Sequence, residues 1–410
     1  MRILHTADWH VGKVLKGRSR LDEQTAVLGE IVDIAGAEDV DLVIVAGDVF
    51  DAAAPVPAAQ SLVMRTLLAL REDGRQVVVL AGNHDNPHLL DVYRPVLGTV
   101  GIHVVGTFRG PDDGGLVSFT ARTGEDARVA VLPFLSHRFA VRAAEALHGT
   151  PVQHGIAYAL KWAELAGALT AGFEDGTVNL LTAHATLRGG RLGGGEREAQ
   201  TVMSYYLEPG TFPESIQYAA LGHLHRRQHL PGPCPLWYAG SPLAVDFGDE
   251  TIRPGVLIVA VGPGQEAEVR EAEITTARRL RTVRGSLDEL AAVAADVEGA
   301  WLRVIVAERP RPGLAEAVRE LLPDALSIDI DERFRPTQRH AAAVPHDRGP
   351  RGLFRDYLAD SGHGGGEELT ALFDRLLDEV SAEETAGDAA EEAAGAARPG
   401  EKFRAAGADG

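Results

Sequence analysis

The sequence predicts an α/β fold: two groups of strands flanked by helices, then a small α/β module and C-terminal helices. Three observations carry this. Continuous β-branched runs alternate with helical spacing through the first hundred residues, the pattern of a sheet covered on both faces. A second group of shorter strands starts near residue 116. Polar residues sit just after the strands, where open α/β sheets place their ligands.

In chain order, 3–7 is an apolar run that ends at a polar cluster. Residues 21–37 have helical spacing at Ala26, Leu28, Ile31, Val32 and Ala35. Residues 41–46 read as a buried strand closed by Gly47, 58–70 as a helix, and 76–81 as a buried strand closed by Gly82. Strands at 116–120 and 128–132 and a long helix at 152–171 follow. A strand at 177–182 runs into His184 and one at 218–221 into Gly222; 236–239 and 255–261 complete the group. The Gly-rich loop 189–195 interrupts it and reads as mobile. Residues 276–331 form a separate alternation, with strands at 279–283, 301–307 and 325–330 and helices at 287–297 and 313–322. Pro336, Pro345 and Pro350 mark 332–350 as a linker. Residues 351–380 are amphipathic, first at Leu353, Phe354, Tyr357 and Leu358, then at Leu369, Leu372, Phe373, Leu376 and Leu377. That pattern suits docking on a partner or on the same chain. The Ala-, Gly- and Glu-rich residues 381–410 read as a disordered acidic tail.

Composition narrows the function. The chain has 410 residues, a prior of two to three domains at roughly 150 residues each. Hydrophobic residues at 45% and charged residues at 24% exclude fibrous and wholly disordered classes. A net charge of −19 excludes a whole-protein basic footprint, so any polyanion is met by local patches or by metal ions. Cys234 is the single cysteine, which excludes a disulfide framework and a thiolate zinc site within one chain. The first residues turn polar too early for a signal peptide, and no stretch of about 18 apolar residues suggests a membrane span. A cytoplasmic protein is the expectation.

Potential metal ligands fall in five clusters: Asp8-Trp9-His10, Gly47-Asp48-Val49-Phe50-Asp51, Gly82-Asn83-His84-Asp85, His184, and Gly222-His223-Leu224-His225. Each follows a predicted strand. Asp8 and His10 are two apart, so an extended chain end would turn both to one side, as it would His223 and His225. Singly, each has an ordinary explanation: a cap for Asp8, a turn for Asn83, a packed or surface histidine for His184. Together, five clusters in one order at strand ends are hard to obtain by chance. Asp8, His10, Asp48, Asn83, His184, His223 and His225 offer seven oxygen or imidazole ligands. That is too many for one transition ion and suits two ions sharing one carboxylate. Mixed His and carboxylate donors favour Mn²⁺, Fe or Zn²⁺ over Ca²⁺ or Mg²⁺. Two ions about 3.5–4 Å apart clamp a phosphate and activate a bridging water for in-line attack.

These motifs in this order resemble the calcineurin-like metallophosphoesterases, which fold as a two-sheet sandwich flanked by helices. The context of Asp8-Trp9-His10, the segment Gly240-Ser241-Pro242-Leu243 and the domain order resemble the SbcD nucleases more closely. The resemblance covers about residues 1–380. It implies a nuclease domain at 1–275, a capping domain at 276–331 and an SbcC-binding helical segment at 351–380. It implies two divalent ions, typically Mn²⁺, one held by Asp8, His10, Asp48 and His225, the other by Asp48, Asn83, His184 and His223. His84 would stabilise the transition state or protonate the leaving 3′ oxygen, and Asp85 would orient His84. Asp51 stands where relatives often carry histidine, and its role is open. The resemblance further implies a double-strand exonuclease and single-strand or hairpin endonuclease that processes DNA ends in the nucleoid. Its partner would be SbcC, a coiled-coil ATPase, with the nuclease a homodimer within a heterotetramer. No Gly-x-x-x-x-Gly-Lys-Ser/Thr loop is present in this chain.

Candidate phosphate contacts are Lys13, Lys16, Arg18 and Arg20 after the first motif, Arg188, Arg191 and Arg197 in the Gly-rich loop, and Arg226 and Arg227 after the last. Beside metal ligands they would anchor phosphates without reading sequence; otherwise they are solvated charge. Two rival functions share the motifs. One is a phosphoesterase acting on a small phosphate ester, against which the capping module and late helices count. The other is a non-catalytic DNA-end scaffold, against which the complete ligand set and His84 count.

Overall fold

The computed structural model describes residues 1–136, 151–196 and 206–335, then 351–352, 354–355, 358 and 369–377. Arg197, residues 336–350, Leu353, Tyr357 and the tail 381–410 lie outside the described residues. The chain divides into two units, Met1–Arg335 and Pro336–Gly410.

The first unit is built on two six-stranded sheets. In the first, Arg2–Thr6, Leu42–Val45, Gln76–Leu80 and Ile102–Val105 run parallel, and Gly255–Ala260 and Glu268–Glu273 extend one edge antiparallel. In the second, Asp126–Leu132, Val178–His184, Tyr218–Gly222 and Leu236–Tyr238 are parallel, with Leu116–Thr120 and Gln228–Leu230 antiparallel at the edges.

Strand side chains alternate between faces, so one run feeds two cores. Leu4, Val43, Val45, Val77 and Val79 meet the helices Leu21–Ala37 and Pro57–Leu70 through Ile31, Val63 and Leu67. Ile3, Leu42, Ile44, Val78 and Leu80 meet Val129, Val131, Leu180 and Tyr218 of the second sheet. The far face of that sheet is covered by Tyr158, Trp162 and Leu169 of the helix Pro151–Thr170. The result is a helix–sheet–sheet–helix sandwich, the α/β fold the sequence predicts. Burial on both faces explains the continuous apolar runs.

Some elements go beyond the sequence reading. The helix Pro87–Gly98 carries Pro95 inside it, which hides its periodicity; Asn86 caps it, accepting from the His88 and Leu89 N–H groups. Glu268–Glu273 is a polar edge strand with no apolar run to reveal it.

A three-stranded parallel sheet, Leu280–Gly285, Trp301–Val306 and Ala325–Ile330, closes the first unit. The helices Leu287–Val293 and Leu314–Leu321 cover one face, the former started by a Ser286–Glu289 capping box. This module joins the sandwich through Leu280 and Trp301, packed with Leu15, Ala244 and Phe247. The Arg18 and Arg278 guanidinium groups lie 4.7 and 3.7 Å from the Trp301 ring centre. In the second unit Phe354 stacks on Phe373 at 4.1 Å, and Arg351 and Arg355 pair with Asp374. Among the described residues no helix is long and apolar enough to cross a membrane.

Candidate metal centre

Every ligand-bearing loop leaves the carboxyl end of a parallel strand. Asp8, Asp48 and Asn83 follow strands of the first sheet; His184 ends a strand of the second, and His223 and His225 follow its neighbour. The loops are stitched together: the Asp8 N–H donates to the Gly47 carbonyl and the His10 N–H to the Asp48 carbonyl, both at 3.0 Å. The extended geometry expected for Asp8-x-His10 and His223-x-His225 is not what forms. Asp8, His10 and Asp48 are left-handed, with φ of 54°, 47° and 49°, and His223 has φ of 104°. Asp and His tolerate that region better than most residues, at a cost of about 1–3 kcal/mol each. Such tight turns are what fold the polar side chains back over the sheet ends. Gly82 is required for the same reason: a Cβ there would overlap the Asp48 carboxylate.

All seven predicted ligands come together. Asp8, His10, Asp48, His184, His223 and His225 are buried and Asn83 is half-buried. His10 Nε2 and His184 Nε2 lie 3.7 and 3.4 Å from Asp48 Oδ2. Asn83 Oδ1 is 2.8 Å from both His184 Nε2 and His223 Nδ1. Asp8 accepts the His223 backbone N–H.

The donor set fits divalent metal ions. The Nδ1–H of His184 donates to the Ala46 carbonyl, which turns its Nε2 toward Asn83 Oδ1 and Asp48 Oδ2. The Nδ1–H of His225 donates to Asp249, which turns its Nε2 toward His10 Nε2 at 3.2 Å. Imidazole nitrogens gathered with amide and carboxylate oxygens at these distances are the donor types that hold divalent ions.

Electrostatics agree. Burial pushes Asp8 up to about 7. Burial also works against ionised Asp48, but His184, His10 and His84 outweigh it and hold its carboxyl well below the usual range. Burial opposes charge on His184 as well, yet Asp48 raises it to about 9. Burial lowers His10 to about 4 and, with His184, lowers His223 to about 3. Without metal, Asp48 and His184 thus form a buried ion pair whose proton a metal must displace.

Two sequence readings change here, and the open role of Asp51 finds a place. Asp85 does not hold the His84 ring through Nδ1. Its carboxylate accepts the Val49, Phe50 and Gly82 N–H groups at 3.1, 2.8 and 2.8 Å and so fastens two ligand loops. His84 Nδ1 donates instead to the Asp51 carbonyl at 2.9 Å. The Asp51 carboxylate lies 3.6 Å from His10 Nδ1 and 3.3 Å from Lys13 Nζ, which gives this residue a place in the site. The Gly-rich loop is fastened over residues 193–195 by Glu196 and Asp249. Sequence reasoning missed both acids: Asp249 lies 24 residues beyond His225 in an ordinary turn, and no spacing signals it.

The basic residues divide. Arg20 is buried, with its guanidinium on Glu23 and the Ala244 carbonyl, so it is not available to a phosphate. The Arg227 side chain is nearly covered and pairs with Glu271. Lys16, Arg18, Arg188 and Arg191 are exposed, and Lys13 and Arg226 half-buried. Arg188 pairs with Glu208 and Arg226 reaches Thr251.

Two parallel-stranded sheets meeting at a buried cluster of carboxylate, amide and imidazole donors define a dinuclear phosphoesterase scaffold. The family model described as calcineurin-like phosphoesterase matches residues 1–227, and one described as Type 5 capsule protein repressor C-terminal domain matches residues 276–361. Among curated relatives, the SbcD subunit of nuclease SbcCD from Bacillus subtilis (strain 168) is 36% identical over 284 residues, 68% of this chain and 71% of that one. Its counterpart in Rhodobacter capsulatus is 38% identical over 275 residues, 64% of this chain and 67% of that one. The one in Escherichia coli (strain K12) is 29% identical over 302 residues, 73% and 74%. The chain belongs to the SbcD nuclease family of calcineurin-like phosphoesterases. Among solved structures, a dimetal phosphatase from Danio rerio aligns at a TM-score of 0.37 and 13% identity, over 68% of this chain and 99% of that one.

Proposed function

We propose that this chain hydrolyses DNA phosphodiester bonds as the nuclease of an end-processing complex, using two divalent ions, Mn²⁺ by preference. Asp8, His10, Asp48 and His225 would hold one ion, and Asp48, Asn83, His184 and His223 the other. The observation that carries the reading is the convergence of histidines from both sheets on the single carboxylate of Asp48. When bound, such ions neutralise a phosphate and supply a nucleophilic water at neutral pH. His84, its Nδ1–H committed to the Asp51 carbonyl, delivers a proton from Nε2 to the leaving 3′ oxygen. Lys13, Lys16, Arg18 and Arg226 at the rim anchor the strand by its phosphates, and Arg188 and Arg191 assist from the loop.

The reading assigns residues 1–275 to the nuclease domain, 276–331 to a capping domain that favours DNA over small esters, and 332–350 to a linker. Residues 351–380 dock on a coiled-coil ATPase of the SbcC type, and 381–410 form a tail. The name SbcCD borne by the relatives supports that partner, as do the exposed Leu369, Leu372 and Leu376 on one helix. Exposed Val92 and Val96, one turn apart on Pro87–Gly98, support a homodimer within a heterotetramer. The complex would work on double-strand ends and hairpins in the cytoplasm, at the nucleoid.

The test uses purified protein, Mn²⁺ and end-labelled duplex and hairpin DNA, with wild type beside His84→Ala and Asp48→Ala. Cleavage by wild type alone supports the reading. Hydrolysis of a chromogenic phosphodiester with DNA left intact, even with SbcC and ATP present, would point to a small-ester enzyme instead.

A further inference from the structure

We infer that Asp249 and Glu196 are positioning residues that set the ring of His225 and seat the Gly-rich loop against the metal centre, an inference that rests on the dinuclear reading above. Asp249 is fully buried at the end of the short turn Phe247–Asp249. Its Oδ2 accepts the Nδ1–H of His225 at 2.9 Å and the Val245 N–H at 3.1 Å, and its Oδ1 accepts the Gly195 N–H at 2.9 Å. Glu196 Oε1 accepts the His225 backbone N–H at 3.0 Å and the Gly193 N–H at 2.7 Å, while Oε2 accepts the Gly194 N–H at 2.7 Å. One carboxylate therefore holds the ring of His225 and the other its backbone. The same two carboxylates collect the amides of three successive glycines.

That arrangement gives the glycines a reason. A Cβ on Gly195 would overlap the Asp249 carboxylate, and Gly194 lies against the backbone of Gly248. Only a loop without side chains can bring its amides this close. The chemistry follows from which nitrogen is engaged. A carboxylate on Nδ1 fixes the tautomer, points Nε2 inward and makes the ring a stronger ligand. In this protein that Nε2 is 3.2 Å from the Nε2 of His10, so a turn of the His225 ring would separate two donors meant for one ion. Loss of Asp249 should therefore weaken one ion and spare the one held through Asn83, His184 and His223.

Isothermal titration of Mn²⁺ into the full-length protein tests this, with Asp249→Asn, Asp249→Glu and Glu196→Gln beside wild type and thermal melts in chelator alongside. Asp249→Asn should weaken one of two Mn²⁺ sites by about 10–100-fold and leave the other unchanged. Asp249→Glu should recover part of the loss, and Glu196→Gln should weaken the same site less. If Asp249→Asn does not fold, the other two variants carry the test through their affinities. Two sites of wild-type affinity in the folded variants would overturn the inference, whatever the melting temperature. Wild type that binds no Mn²⁺ would instead overturn the dinuclear reading, and this inference with it.

Discussion

The sandwich and the small module that follows it are both made of parallel strands joined by helices, yet only the sandwich carries reactive strand ends. Its sheets are covered on both faces, and their carboxyl ends present Asp8, Asp48, Asn83 and His184 to a common buried space. The helices cover one face of the module's sheet; on the other, Leu280 and Trp301 pack on the sandwich at one end, while Arg284 and Asp329 are exposed and Arg303 and Ile305 half-buried. Its strands end at Gly285, Val306 and Ile330, and the nearest acid, Asp331, is spent on Arg284 and Arg333 at 3.0 Å each. The same supersecondary unit thus yields a metal centre in one place and a plain scaffold in the other. A strand end becomes reactive where several layers desolvate a group of donors together, and topology alone does not provide that.

The largest effects should follow from the sandwich's strand ends. Asp48→Ala should abolish both Mn²⁺ binding and cleavage of labelled duplex. His84→Ala should keep Mn²⁺ affinity and lose about 10²–10⁴-fold in kcat. Equal loss of metal affinity in both variants would make His84 a ligand rather than a proton donor.

Next come the two cores. Ile44→Ala, between the two sheets, and Leu302→Ala, in the module, should each cost about 2–5 kcal/mol in denaturant melts. Their activities should part: Ile44→Ala lowers turnover of every substrate, while Leu302→Ala lowers DNA cleavage and spares a chromogenic phosphodiester. Parallel losses for Leu302→Ala would tie the module into the catalytic core.

A smaller effect concerns the joint. The Glu23 carboxylate is shared by the Arg20 guanidinium, the Arg278 backbone N–H and the Trp301 indole N–H. Glu23→Gln should loosen the module and lower duplex cleavage about tenfold, through misplaced DNA, without changing small-ester turnover. An unchanged rate on duplex would show that the module's pose is set elsewhere.

The smallest is a pH effect. His5 is buried between the sheets with Nδ1 on the Tyr218 hydroxyl, and burial lowers its pKa from 6.5 to about 3. The unfolded chain protonates His5 below pH 6.5 while the folded chain does not. The stabilising difference is therefore whole above 6.5 and is lost progressively as pH falls toward 3. His5→Leu should flatten the fall in chelator-treated protein between those limits; an unaltered slope would assign acid sensitivity to other groups.

Most of the fold and all seven candidate ligands were legible in the chain. Runs such as Val43-Ile44-Val45 and Val77-Val78-Val79 read as strands buried on both faces because they are short and β-branched, and each stops where a Gly and an acid or amide begin. Arg20 misleads because charge is visible in a sequence and burial is not; it sits between exposed Arg18 and the helix it helps to fasten. Asp85 misleads because adjacency to His84 suggests a contact that the backbone amides of Val49, Phe50 and Gly82 take instead.

The order of strands, the two cores and the identity of the seven donors follow from local pattern, since hydrophobic period and turn chemistry are properties of neighbouring residues. The left-handed turns at Asp8, His10 and Asp48, the sharing of Asp48 between two sheets, and the clasp of Asp249 on His225 do not. They arise from packing one sheet on the other, which sets donors more than a hundred residues apart into one desolvated space and leaves each only the partners that space supplies.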